Sequence, residues 1–143
     1  IKIFQSERRM MNRSLLREQV FKLLFRVEFN PMEEMPEQEE LFTSTSDDDF
    51  SKQDADYIRK KYEKIAEKLD DIDKAINEKT KGWDTERMAK VELTIIRLAV
   101  YEIKHDESVP TGVAINEAVE LAKKFGQDGS PAFVNGVLAK FAE

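Results

Sequence analysis

The residues best placed to do chemistry lie near the start of the chain, where Arg13, Arg17, Phe21 and Phe25 recur every four positions and so share one ridge of a helix. A guanidinium fork matches a phosphate and stacks on bases, and an exposed aromatic ring stacks on an unpaired base; this order of residues suits single-stranded nucleic acid. The same spacing also fits two rings that only widen a buried face and two arginines that are only solvated. Enzymatic chemistry has less to work with. The single histidine, His105, stands in Lys104-His105-Asp106-Glu107, a charged helix end where it complements the dipole rather than serving as general acid or base. The absence of cysteine removes thiol nucleophiles, thiolate metal sites and disulfides together. No phosphate-loop, dinucleotide, zinc-protease or nucleophile-elbow pattern occurs. Asp47-Asp48-Asp49 lacks the glycine and the closing glutamate of a calcium loop. The expectation is a binding protein with no catalytic residues, no metal and no cofactor.

The chain has 143 residues, 41% apolar and 36% charged, which fits a globular domain and not a disordered one. No apolar run approaches the roughly 20 residues of a membrane span, and no signal-peptide pattern opens the chain. A cytoplasmic protein without a membrane partner is expected. The formal net charge of -6 conceals an uneven distribution: residues 1–30 carry seven basic and three acidic side chains, whereas 31–56 carry one and ten. So acidic a chain should bind RNA weakly by itself and lean on a basic partner, each phosphate contact adding about -0.7 to the log-log salt slope for single strands.

The elements that must position these residues follow from periodicity. Leu16, Val20, Leu23, Leu24 and Val27 predict an amphipathic helix over 13–29, ended by Asn30-Pro31. Residues 31–51, rich in Glu, Pro and a Ser/Thr/Asp cluster, read as a solvated acidic loop with one helical turn around 37–42. Ser51 is a candidate N-cap for one long or two consecutive helices over 52–81. Gly82-Trp83 breaks that pattern, with Trp83 expected as a large anchor between bundles and Asp84 or Thr85 as the next cap. Residues 88–104 are so apolar that other helices must surround them. Val109-Pro110 opens a further helix closed by Gly126 at C′; Ser130 as N-cap and Pro131 at the first position open the last. Glycine at 136 is expected to allow close helix packing. With no strand pattern, the fold class is all-α, with about six or seven helices.

Two motifs in the C-terminal half are long and specific: VPTGVAINEAVELAKKFG over 109–126 and SPAFVNGVL over 130–138. With RLAVYE over 97–102 and Arg17-Glu18, they closely resemble the NusB family of transcription antitermination factors, over roughly residues 12–143. The resemblance implies one helical domain over 12–143 built of two small bundles, about 12–81 with its acidic loop 31–51 and about 82–143, with residues 1–11 as an arm outside the fold. It implies binding of single-stranded boxA-type RNA together with NusE, the small-subunit ribosomal protein. With other Nus factors and RNA polymerase this would promote processive transcription, notably of ribosomal RNA operons, without catalysis. By the same resemblance Arg13, Arg17, Gln127, Ser130 and Phe133 are RNA-binding, and Phe25 and Glu92 face NusE. The helix N-terminus at Ser130 would offer free N–H groups to a phosphate. Ser14 and Leu15 stand where some members carry further basic residues, for which Arg8 and Arg9 would compensate. A homodimer stays open. So do two other functions: a helical protein–protein adaptor without sequence-specific RNA binding, and the helical module of an rRNA cytosine methyltransferase, although 143 residues leave no room for that enzyme's S-adenosylmethionine domain.

Overall fold

In the computed structural model, which describes residues 11–44 and 50–142, the first helix begins where a side chain can cap it. Asn12 Oδ1 accepts from the Leu15 amide at 2.8 Å, opening α1 (Arg13–Phe25). Val20, Phe21, Leu23 and Leu24 are buried on its apolar face. The expected helix to residue 29 is shorter, because the backbone tightens into a 3-10 turn, Arg26–Glu28. The Asn30 side chain then bonds the Arg26 carbonyl at 2.9 Å ahead of Pro31.

The segment expected as a solvated loop over 31–51 is largely helical. A second 3-10 turn, Met32–Glu34, leads into α2 (Met35–Ser44). Met35 and Glu39, one turn apart, are buried. Arg26 clasps the helix from the α1 side: its Nη1 donates to Gln38 Oε1 at 2.9 Å, and its guanidinium lies 5.1 Å from the Phe42 ring centre. Glu37 and Glu40 lie exposed on the outer face of this helix, where glutamate is a good helix former. Asp47-Asp48-Asp49, Arg8 and Arg9 lie outside the described residues.

Ser51 caps as expected, its Oγ accepting from the Asp54 amide at 3.0 Å. The stretch 52–81 is two helices, α3 (Lys52–Glu67) and α4 (Leu69–Thr80), broken at Lys68. There follow α5 (Lys90–His105), α6 (Thr111–Phe125) and α7 (Ser130–Ala139). No strand occurs among the described residues, and no helix among them is long and apolar enough to cross a membrane.

The chain divides into two compact units, one running to Glu63 and the other from Lys64, so the division falls within α3, ahead of residue 81. In the second unit α4, α6 and α7 all pack on α5, and α6 packs on α7. Arg97 of α5 forks onto Asp73 of α4 at 2.8 and 2.7 Å, which ties residues 69–80 to this unit.

In the first unit Glu39 of α2 is only 4% exposed. Its Oε1 has no hydrogen-bond partner and lies 3.6 Å from Arg59 Nε, too long for a hydrogen bond, while the Glu63 carboxylate lies close enough to act on it. Burial pushes the Glu39 carboxyl up to about 7; Glu63 adds to the rise by hydrogen bond and like charge, and Arg59 partly opposes it. The neighbouring Tyr62 hydroxyl, buried and without a partner, is pushed up to about 12 by the same burial and the two carboxylates.

Glu39 therefore holds its proton more tightly folded than unfolded, where an ordinary carboxyl titrates near 4.5. Its contribution to stability is fully present below that value and is lost as pH rises through about 7. Glu39→Gln, which mimics the protonated acid, should gain about 1 to 3 kcal/mol on wild type between pH 5 and pH 8.5 in urea unfolding followed by circular dichroism. Parallel stability curves across that range would mean that Glu39 is ionised throughout.

Candidate nucleic-acid interface

In the first unit the four-residue row descends from solvent into the core. Arg13, in the first turn of α1, is exposed, and no acidic residue shares that turn. Arg17, one turn on, is 7% exposed and engaged with neighbouring groups, and Phe21 is 3% exposed. Phe25 is half-buried, stacked on Phe21 with ring centres 6.1 Å apart. The row therefore presents one exposed guanidinium, and Phe21 belongs to the core. The ring that reaches solvent is Phe29, 62% exposed and edge-on to Phe25 at 5.1 Å. Extending the four-residue step by one more position would have found it.

In the second unit the structure brings together Glu92, Gln127 and Ser130. Ser130 is 2% exposed. Its hydroxyl donates to Glu92 Oε2 at 2.6 Å and accepts from the Gln127 amide at 3.0 Å, while its own amide donates to the Gln127 carbonyl at 2.9 Å. Ser130 is therefore neither an N-cap nor an open phosphate site: it is the first residue of α7, after Gly129, and its polar atoms are spent inside the protein. It knots the α6–α7 turn to the first turn of α5.

Gly126 makes that knot possible, though not as a left-handed C′ residue, since its φ of -94° and ψ of -162° are extended. A Cβ there would lie 2.6 Å from Ser130 Cβ and Oγ and 2.8 Å from the Ala122 carbonyl oxygen. Close approach, not backbone handedness, requires glycine. At Gly136 the reverse holds: an added Cβ would meet nothing, so the expected close packing is absent. Asn135 beside it is exposed and lines a shallow groove between α6 and α7 with Asn116, Glu120 and Lys123.

Gln127 is exposed at the turn, and Phe133 is half-buried one turn into α7. Phe133 meets Trp83 edge to face, ring centres 5.6 Å apart and planes at 68°. Trp83 is 56% exposed, which overturns its expected role as a buried anchor. The physical reason lies just before it, where Lys81 (φ 35°) and Gly82 (φ 94°) turn the backbone left-handed. Asp84 caps only the short turn after it, accepting from the Arg87 amide at 3.2 Å. His105 is exposed at the end of α5, against the Tyr101 ring at 5.7 Å. The described residues hold no group of three or more potential metal ligands.

Against known proteins, residues 14–143 match the family model described as the NusB family. A transcription antitermination protein NusB of Agathobacter rectalis is 58% identical over 134 residues, covering 92% of this chain and all of that one. Among solved structures, NusB of T. maritima superposes with a TM-score of 0.80 at 32% identity, covering 94% of this chain and 92% of that one. A second, of antitermination factors NusB and NusE in complex with double-stranded RNA, superposes with a TM-score of 0.72 at 26% identity, covering 90% of this chain and 94% of that one.

The crowding at position 126 can be checked directly. Gly126→Ala must displace either Ser130 or the Ala122 carbonyl, and overpacking of this kind costs roughly 1–3 kcal/mol. Gly129→Ala, at a position with open space around it, should stay within about 0.5 kcal/mol of wild type. Equal melting temperatures for the two variants would show that the α6–α7 turn relaxes freely.

Proposed function

The chain belongs to the NusB family of transcription antitermination proteins, and from that membership we propose that it binds single-stranded boxA-type RNA together with NusE. With other Nus factors and RNA polymerase in the cytoplasm it would promote processive transcription, notably of ribosomal RNA operons. The factor is not an enzyme; it acts by holding RNA and protein together. The observation that supports RNA binding with NusE is the likeness, over most of both chains, to NusB in a solved complex with NusE and double-stranded RNA; the single strand and the boxA sequence rest on family membership.

Arg13 takes the phosphate role in this reading, because it is the exposed cation of the α1 row. Gln127 offers an exposed amide beside the turn, and Phe133 supplies a ring. Arg17 and Ser130, both buried, act indirectly: Arg17 holds the base of the row, and Ser130 holds the turn that presents Gln127. Phe25, with exposed Phe29 against it, gives NusE an aromatic contact. Glu92 gives one of its oxygens to Ser130 and retains acceptor capacity for a partner's donor. The net charge of -6 is the reason for needing NusE: a basic partner offsets the repulsion between this chain and the RNA backbone.

Fluorescence anisotropy with a boxA-like RNA and a scrambled control, with and without NusE, tests the reading across a salt series. Wild type should prefer the boxA-like RNA and bind it more tightly with NusE, and Arg13→Ala should flatten the salt slope by about 0.7. If NusE binds while neither RNA does, the chain is a protein–protein adaptor and Arg13 is ordinary surface charge.

A further inference from the structure

Trp83 is the chain's only tryptophan, and more than half of it faces solvent. Four hydrogen bonds fix the turn that carries it. The Thr80 hydroxyl lies 2.7 Å from the Trp83 carbonyl oxygen, and Asn77 Oδ1 accepts from the Thr85 amide at 2.8 Å. Arg87 Nη1 donates to the Gly82 carbonyl at 3.0 Å, and its amide reaches Asp84. Lys81, a residue with a Cβ held at φ 35°, adds backbone strain to keep this shape. A large ring held outward by a strained, hydrogen-bonded turn is preorganised for an external contact, and it contributes little to the core.

The surroundings favour a nucleotide. The edge-to-face contact with Phe133 steadies the indole while leaving it largely exposed. Exposed cations stand close to it in the chain: Arg87 is anchored on the carbonyl of the residue before it, and Lys81 lies two before it. Of the nearby acids, Glu78 and Glu86 are exposed, and Asp84 is turned to the Arg87 amide. A flat π-face beside phosphate-seeking cations matches a stacked base with its flanking phosphate.

We propose that Trp83 is a second stacking platform, beside Phe133, for an unpaired RNA base, with Arg87 and Lys81 meeting the adjoining phosphate. The proposal rests on the RNA-binding reading above. Its test follows the emission of Trp83, unique in this chain, while the full-length protein is titrated at low salt with a fluorophore-labelled boxA-like RNA, binding being read in parallel by anisotropy.

Wild-type emission should be quenched along the same curve as the anisotropy. Trp83→Leu should weaken RNA binding by roughly 5- to 150-fold, the range for losing one base stack. Trp83→Phe, which keeps an aromatic ring against Phe133, should retain most of the affinity and guards against a folding defect in the leucine variant. Unchanged emission with wild-type affinity in Trp83→Leu would overturn the proposal and leave the RNA-binding reading standing. No anisotropy change for any RNA, with NusE present as well as without it, would remove that reading and the proposal with it. Loss of NusE binding in Trp83→Leu, with RNA affinity intact, would make the ring a protein contact and overturn the proposal.

Discussion

The second unit is organised by one constraint: α5 has too much apolar surface to face water on any side. Leu93, Ile95, Ile96, Leu98, Ala99, Val100 and Tyr101 are all buried, and each large aliphatic side chain among them is worth about 1.5–3 kcal/mol when removed from water. No single amphipathic stripe can cover such a helix, so α4, α6 and α7 surround it. In the enclosed part of α5 the polar groups are paired, Arg97 with Asp73 and the Thr94 hydroxyl with the Lys90 carbonyl. Once α5 is fixed, Glu92 in its first turn is fixed too, and the Ser130 hydroxyl can bind it only if α6 and α7 meet at one angle. Gly126 admits that angle because nothing larger than hydrogen fits between Ser130 and Ala122. The turn presenting Gln127 is thus set by the core two steps away.

Core and surface are joined differently in the first unit. There the four-residue row leaves solvent within two turns, so Arg17 is held among neighbours and Arg13 alone keeps a free approach to a ligand. Burying a guanidinium is tolerable only with partners, which makes Arg17 part of the fold first. Glu39 is the opposite case, a carboxylate enclosed beside Glu63 and an unpartnered Tyr62 hydroxyl, where neutrality is the less costly state. Both residues show burial deciding what a charged side chain does.

Much of this was legible in the residues. The all-α class, the break after residue 80, the Ser51 cap and the helices over 90–105 and 111–125 follow from periodicity and punctuation. The family resemblance carried by 109–126 and 130–138 matches the comparison with known proteins. What misled was composition used in place of contacts. Residues 31–44 looked like a loop because glutamates and prolines dominate them, yet Met35, Glu39 and the reach of Arg26 across to Gln38 and Phe42 make a helix. Ser130 and Gly126 had the right residue types for a cap and a C′ glycine, but both are explained by a single close approach that no local pattern reveals. Trp83 reads as an anchor between bundles on size, and its exposure after the left-handed turn at Lys81 and Gly82 shows otherwise.

The exposed rings gain weight from the charge of the chain. A protein with a net charge of -6 cannot rely on counterion release for affinity, because its own field opposes the RNA, and whatever a basic partner supplies is equally available to any sequence. Stacking is not limited in that way. It needs an unpaired base with an open face, it is weakly screened by salt, and it rejects paired nucleotides whose faces are already covered. On the proposed reading the cations would set where the backbone runs, and the aromatic rings would select single strands. Phe133 and Trp83 meet in a unit whose buried residues are mostly aliphatic, and in the proposed reading their contact holds the two rings ready to receive a base.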